Sequence, residues 1–247
     1  TMLVLSMGAL LLAGTLSAQT PIPEWQAGVD KMKSLIQTNP AQASEEVGGL
    51  LKGKNKKNVD LVTSVAHVYL DAGKLTEAQE YLAMAKKADN KDPKVSVLEG
   101  DIALAQKDIG QACQLYEQAI YFDPNCKEAY LKYAQAYKSA SPALAIEKLE
   151  QLKAVDPNCL EADRELAEVY YSSNRFGKAA EMYAKFIDTP LATEDDMLKY
   201  AFALFLNHDF EKSLQVAQKG LQKNARHAAF NRLVMYNNTD LKRYEDA

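Results

Sequence analysis

The chain has 247 residues, 47% of them hydrophobic and 25% charged, with 29 Lys and Arg against 33 Asp and Glu. Those proportions suit a folded globular chain. The formal net charge of -4 offers no concentrated basic face, so nucleic acid is not an expected partner. Eleven glycines, few β-branched runs and an abundance of Ala, Leu, Lys, Glu, Gln and Tyr favour helix.

In chain order, residues 2–16 form a short uncharged apolar run that leads into Ser17-Ala18-Gln19. It is too short to span a bilayer comfortably. It matches a secretory signal peptide over 1–18, cut after Ala18, and predicts an exported, periplasmic protein. No Lys or Arg precedes the run, and a buried N-terminal helix ending before Pro21 and Pro23 is the alternative. Residues 24–52 follow as an atypical helix pair split at Thr38-Asn39-Pro40. Lys52, Lys54, Lys56 and Lys57, beside Gly53 and Asn55, read as a solvated loop.

Two ladders of small residues run along the chain. Ala66, Gly100, Ala134, Ala167, Ala201 and Met235 are spaced 34, 34, 33, 34 and 34. Ala43, Ala78, Ala112, Ala145, Ala179, Ser213 and Ala247 keep almost the same period. Self-similarity at this interval means stacked units, each burying its neighbour's apolar face. Each unit reads as two amphipathic helices. In 93–124, Pro93 opens the first, and Val95, Leu98, Ile102 and Ala105 recur at helical steps. Lys107-Asp108-Ile109-Gly110 interrupts it, Ala112, Leu115, Tyr116, Ala119 and Ile120 resume it, and Asp123-Pro124-Asn125 ends it. The predicted units are 58–91, 92–125, 126–158, 159–192, 193–226 and an incomplete 227–247.

One residue is missing from the third unit, where Ala134 and Ala145 stand 11 apart and the other five units show 12. The loss falls in Ser139-Ala140-Ser141-Pro142, which predicts a tighter turn with Ser141 as cap and Pro142 as helix start. The sequence ends at Tyr244-Glu245-Asp246-Ala247, within an expected second helix, and this predicts that the natural chain continues. Cys113, Cys126 and Cys159 show no metal-ligand spacing and read as small packing residues.

These residues resemble tetratricopeptide repeats. The resemblance rests on Gly100, Ala112, Tyr116, Ala119 and Pro124 in one unit, and on Tyr130, Tyr133, Ala134, Tyr137, Ala145 and Pro157 in the next. Leu166, Ala167, Tyr170, Ala179 and Tyr183 carry it in a third, and Ala66, Tyr69, Gly73, Ala78 and Ala85 in the unit from 58. The resemblance implies an all-α fold, a right-handed α-solenoid of stacked antiparallel helix pairs, with a concave groove lined by the first helices. It implies a non-enzymatic scaffold that binds a protein or peptide and needs no cofactor, metal or small-molecule substrate. Membrane association is expected only through an envelope complex. The alternatives are an assembly subunit of such a complex or of a homo-oligomer, and a docking arm for an active domain beyond residue 247.

The residues themselves show no catalytic set. His67, His208 and His227 lie in different units without a ligand partner at zinc spacing, and no phosphate loop or nucleophile–base pair occurs. On the family's groove positions, the row one place beyond each small residue reads His67, Asp101, Gln135, Glu168, Phe202 and Tyr236. That row lacks the Asn of the clamp that chaperone-tail binders use for a terminal carboxylate. The candidate groove residues are Lys138, Arg164 and Glu168 in the middle, then Tyr171, Leu198, Phe202, Phe205 and Tyr236 toward the C-terminus. Exposed aromatics there would anchor an apolar peptide side chain. The competing reading makes Leu198 and Phe205 core, or has further C-terminal repeats cover them.

Overall fold

The computed structural model of the protein describes residues 22–244. The expected signal segment 1–18 and Ala247 of the second ladder lie outside them. Thirteen α-helices and one 3-10 turn occur, with no strand among the described residues. The first hairpin joins α1 (Gln26–Leu35) to α2 (Pro40–Leu50). Asn39 starts α2 by accepting a bond from the Gln42 N–H, and Pro40 takes the first helical place. The lysine-rich segment is not an irregular loop. It winds into a 3-10 turn, Gly53–Lys57, held by Asn58 N–H to Asn55 C=O and by Asn55 Nδ2 to Leu50 C=O. Its four lysines stay exposed.

Five full hairpins follow. Their first helices are α3 (Val59–Asp71), α5 (Pro93–Ala105), α7 (Lys127–Tyr137), α9 (Leu160–Ser172) and α11 (Glu194–Leu206). Their second helices are α4 (Leu75–Ala88), α6 (Ile109–Phe122), α8 (Pro142–Val155), α10 (Phe176–Phe186) and α12 (Phe210–Lys223). The last first helix is α13 (Ala228–Asp240). Each first helix packs on its own second helix, and each second helix packs on the next first helix. The result is an all-α solenoid of hairpins.

The ladders locate the closest crossings. Ala43, Ala78, Ala112, Ala145, Ala179 and Ser213 are all fully buried. Serine fits this column because its hydroxyl donates to the Ala201 carbonyl at 2.9 Å. In the other ladder the first five residues are buried. A Cβ on Gly100 would lie 2.5 Å from Cε1 of Tyr116, so the small residue makes room for the second-helix aromatic of the same hairpin. Met235 keeps the register yet is 43% exposed. Among the described residues α13 is not followed by a second helix of its own, the element that the small residue of each earlier hairpin faces.

A second periodic device was not visible in the sequence. Gly73, Lys107, Asn174, His208 and Lys242 all adopt left-handed φ, between 58° and 74°. Each sits two places past the end of a first helix. Its own N–H bonds the carbonyl three residues back, and the next N–H reaches five back, as in Lys107 to Leu104 and Asp108 to Ala103. This closure satisfies the last carbonyls and turns the chain. The residue missing from the third hairpin is this left-handed one. There Ser141 N–H bonds Tyr137 C=O at 2.7 Å instead. Ser141 and Pro142 do begin α8, but the Ser141 hydroxyl makes no capping bond. Cys113 and Cys159 are buried, Cys126 is half-buried, and all three thiols are free.

Candidate binding groove

The first helices present a continuous face along the array. Its middle is built around two copies of one polar knot. In the first, Asp101 of α5 is only 7% exposed. Its Oδ1 accepts from the Tyr116 hydroxyl at 2.7 Å, and its Oδ2 from Lys132 Nζ at 2.9 Å, with His67 Nε2 at 3.1 Å. Burial alone would raise this carboxyl. The hydrogen bonds from His67 and Lys132, with the Lys132 charge and the Tyr116 hydroxyl, bring it below the ordinary carboxylate value. Burial, reinforced by Asp101, pushes the Tyr116 phenol upward.

Two hairpins later Glu168 of α9 takes the Tyr183 hydroxyl at 2.7 Å and Lys199 Nζ at 3.0 and 2.9 Å. The spacing is the same in both knots: Tyr 15 residues after the acid and Lys 31 after it. Each knot thus joins the two helices of one hairpin to the first helix of the next. Reading the groove in rows of equivalent positions misses this pattern, because the lysine belongs to a different row. The repeated +15 and +31 spacing was the signal available.

The expected groove residues divide into three kinds. Glu168 is occupied by its knot. Arg164 forks onto the buried Asp196, with Nε to Oδ1 at 3.1 Å and a terminal nitrogen to Oδ2 at 2.9 Å. Asp196 also closes a capping box with Thr193 at the start of α11. Lys138 is half-buried at the end of α7 and makes no ion pair among the described residues. Leu198, Phe202 and Phe205 are half-buried, packed on the core of Met197, Ala201, Ala217, Phe230 and Leu233. Tyr171 sets its ring edge on Phe176, with centroids 5.7 Å apart. Tyr236 is 43% exposed. Its ring lies 6.1 Å from Phe205, which in turn lies 5.5 Å from Phe210. The structure therefore gathers Phe205, Phe210 and Tyr236, and leaves Lys138 and Arg164 apart from them.

Two hollows lie at the other end of the face. One, of about 340 Å³, is lined by Pro23, Trp25, Asp60, Thr63, Ser64, His67, Lys94, Val97 and Glu128. A second, of about 300 Å³, is lined by His67, Leu70, Asp71, Asp101, Leu104, Ala105 and Lys132. His67 borders both. Among the described residues no group of three or more His, Cys, Asp or Glu is placed to hold a metal ion, and no helix is long and apolar enough to cross a membrane.

Comparison with known proteins agrees with this geometry. The tetratricopeptide-repeat family model matches residues 65–125 and 135–192. No curated protein sequence matches the chain. Among solved structures, PilW, a type IV pilus biogenesis factor, superposes with a TM-score of 0.64 at 17% identity, covering 85% of this chain and 97% of PilW. PilF of Pseudomonas aeruginosa gives 0.61 at 16%, covering 84% and 95%. YrrB, a TPR protein with an unusual peptide-binding site, gives 0.54 at 15%, covering 72% and 93%. At such identities the superpositions speak to fold alone. Repeat period, small-residue columns, helix-pair stacking and family match converge, and the chain belongs to the tetratricopeptide-repeat family.

Proposed function

We propose that this chain is an interaction scaffold that holds a peptide or protein segment against its first-helix face. The family supports a protein–protein role, and the observation that carries the groove reading is the ring group Phe205, Phe210 and Tyr236. Its rings touch one another, and Tyr236 keeps much of its surface in water. Phe202 and Leu198 extend this strip on α11, and Tyr171 precedes it on α9. Half-buried aromatics on a rigid helix face give apolar contact at little entropic cost. Mixed-sign pairs such as Arg164–Asp196 and Lys199–Glu168 hold the rest of the middle groove rigid. The similarity to YrrB, described by its peptide-binding site, is in keeping with this reading.

The test is a pull-down with the purified chain as bait, repeated with Phe202→Ala and Tyr236→Ala. A partner lost in both variants, with thermal midpoints retained, supports the groove. An unchanged partner set removes the aromatic strip.

A second reading has its own observation. Leu206, Met235, Tyr236 and Tyr244 are exposed toward the C-terminal end of the described residues, and this face would suit end-on assembly with another subunit. Light scattering on the purified chain separates the two, since a monomer disfavours self-assembly. Export, read from residues 2–16, belongs with either. PilW, a pilus biogenesis factor, is in keeping with a role in building a surface structure.

A further inference from the structure

We infer that the N-terminal half of the groove is a separate subsite for a basic, extended peptide segment. This rests on the groove reading above and deepens it. The site is the pair of hollows that meet at His67.

Each hollow contains one satisfied ion pair and one carboxylate left over. In the first, Lys94 pairs with Asp60, and Glu128 makes no ion pair or hydrogen bond among the described residues. In the second, Lys132 is spent on Asp101, and Asp71 is equally without a partner. His67 is likewise turned to Asp101. The two linings therefore carry four carboxylates against two ammonium groups, leaving aside His67, which is turned to Asp101. Nothing in the walls offers a free cation to an acidic ligand.

The walls between the charges are apolar or small: Trp25 and Val97 in the first hollow, Leu70, Leu104 and Ala105 in the second. Volumes of about 340 and 300 Å³ each accept one long side chain. A Lys or Arg side chain lays its methylene stem on such walls and carries its charge to a carboxylate at the rim. Both hollows are walled by α3, α5 and α7, one nearer the N-termini of these helices and one nearer their C-termini, and their meeting at His67 suits two basic residues on one extended strand. The C-terminal half presents rings in place of unpaired carboxylates. One scaffold would thus hold a segment with a basic part and an apolar part, in a fixed direction.

The test selects heptapeptides from a random phage-displayed library on the full chain. The winners are then measured as fluorescein-labelled, end-blocked synthetic peptides by anisotropy. The inference expects enrichment of Lys and Arg over Asp and Glu. It expects the Glu128→Gln, Asp71→Asn double variant to weaken binding about five- to tenfold. Both side chains are exposed and isosterically replaced, so the fold should persist. Binding should also fall as NaCl rises from about 50 to about 500 mM. Acidic or uncharged winners would overturn the inference, as would basic winners that ignore both the double variant and salt. If winners are lost only in the Phe202→Ala, Tyr236→Ala double variant, this subsite falls and the general groove reading stands. A selection without any enriched peptide removes both.

Discussion

The two acid–tyrosine–lysine knots are built alike and end differently. Around Asp101 the carboxylate is short and almost fully buried, and His67 adds a third donor. Around Glu168 the side chain is longer, 24% exposed, and its lysine is shared with Asp195 on the same helix. Next to the first knot the surface keeps unpaired acids, and next to the second it keeps aromatic rings. Backbone and column packing hardly change between the halves. The repeat therefore fixes where groove side chains stand, and a few non-column residues decide what each half can hold.

Removing the acids should break the likeness most sharply. Asp101→Ala leaves the buried Tyr116 hydroxyl without an acceptor and frees the Lys132 ammonium, at a cost of about 2–3 kcal/mol. Glu168→Ala should cost about 1–2 kcal/mol, because Lys199 keeps Asp195 and only the Tyr183 hydroxyl is stranded. Urea unfolding of the two variants measures the difference, and equal losses would show that burial does not separate the knots. The acid limb follows from the same group. The folded Asp101 carboxyl lies below the ordinary 3.8, so the unfolded chain binds the proton first. Its contribution is complete above that value and fades as pH falls through the folded pKa. Asp101→Asn should flatten stability against pH below about pH 4.

How much of this could be read in the sequence depends on which residues carried it. The columns at Ala78, Ala112 and Ala145 were legible because close crossings admit only small side chains, so the period is written in residue type. The left-handed turn position was not. It holds Lys107, Asn174 and His208 as well as Gly73, and no shared side-chain chemistry marks it. The deletion was found at the right place, but not what it deletes. In the groove, the sequence places Asp101 and Glu168 in one row of separate lining residues. Partners 31 positions apart on neighbouring helices join only when the hairpins stack. Phe205 and Tyr236 stand among the residues the sequence singles out and Phe210 does not; that Phe205 touches both Tyr236 and Phe210 is tertiary information.

The glycines sharpen the comparison of packed and open positions. Gly100→Ala forces a Cβ to 2.5 Å from a Tyr116 ring that Asp101 holds by its hydroxyl. Gly220→Ala meets Phe230 at the same distance, but that ring has no polar tether. Each overpacking should cost about 1–3 kcal/mol, partly offset by better helix propensity, with Gly100 the worse. Gly48 and Gly49 lie on α2 with nothing within 4 Å of an added Cβ. Alanine there should add about 0.5–1 kcal/mol of stability each. Thermal midpoints rank all four, and a gain at Gly100 would mean that the Tyr116 knot gives way easily.

The smallest expected effect tests whether the two halves really share a backbone. Lys107 closes α5 and His208 closes α11 with the same left-handed conformation, at φ of 67° and 62°. A Cβ makes that conformation costly by about 1 kcal/mol, and glycine relieves it. The same change should therefore help in both places if backbone were all that mattered. The side chains differ, however. Lys107 is exposed and without a partner among the described residues, whereas the His208 ring sits edge-on to Phe210 with centroids 5.6 Å apart. Lys107→Gly should raise stability by about 0.5–1 kcal/mol. His208→Gly should gain less, because it also removes a ring that supports the Phe205–Phe210 group. A chemical denaturation series measures both. Equal gains would show that the aromatic strip holds its shape without His208, and a net loss at His208 would make that turn part of the strip's support.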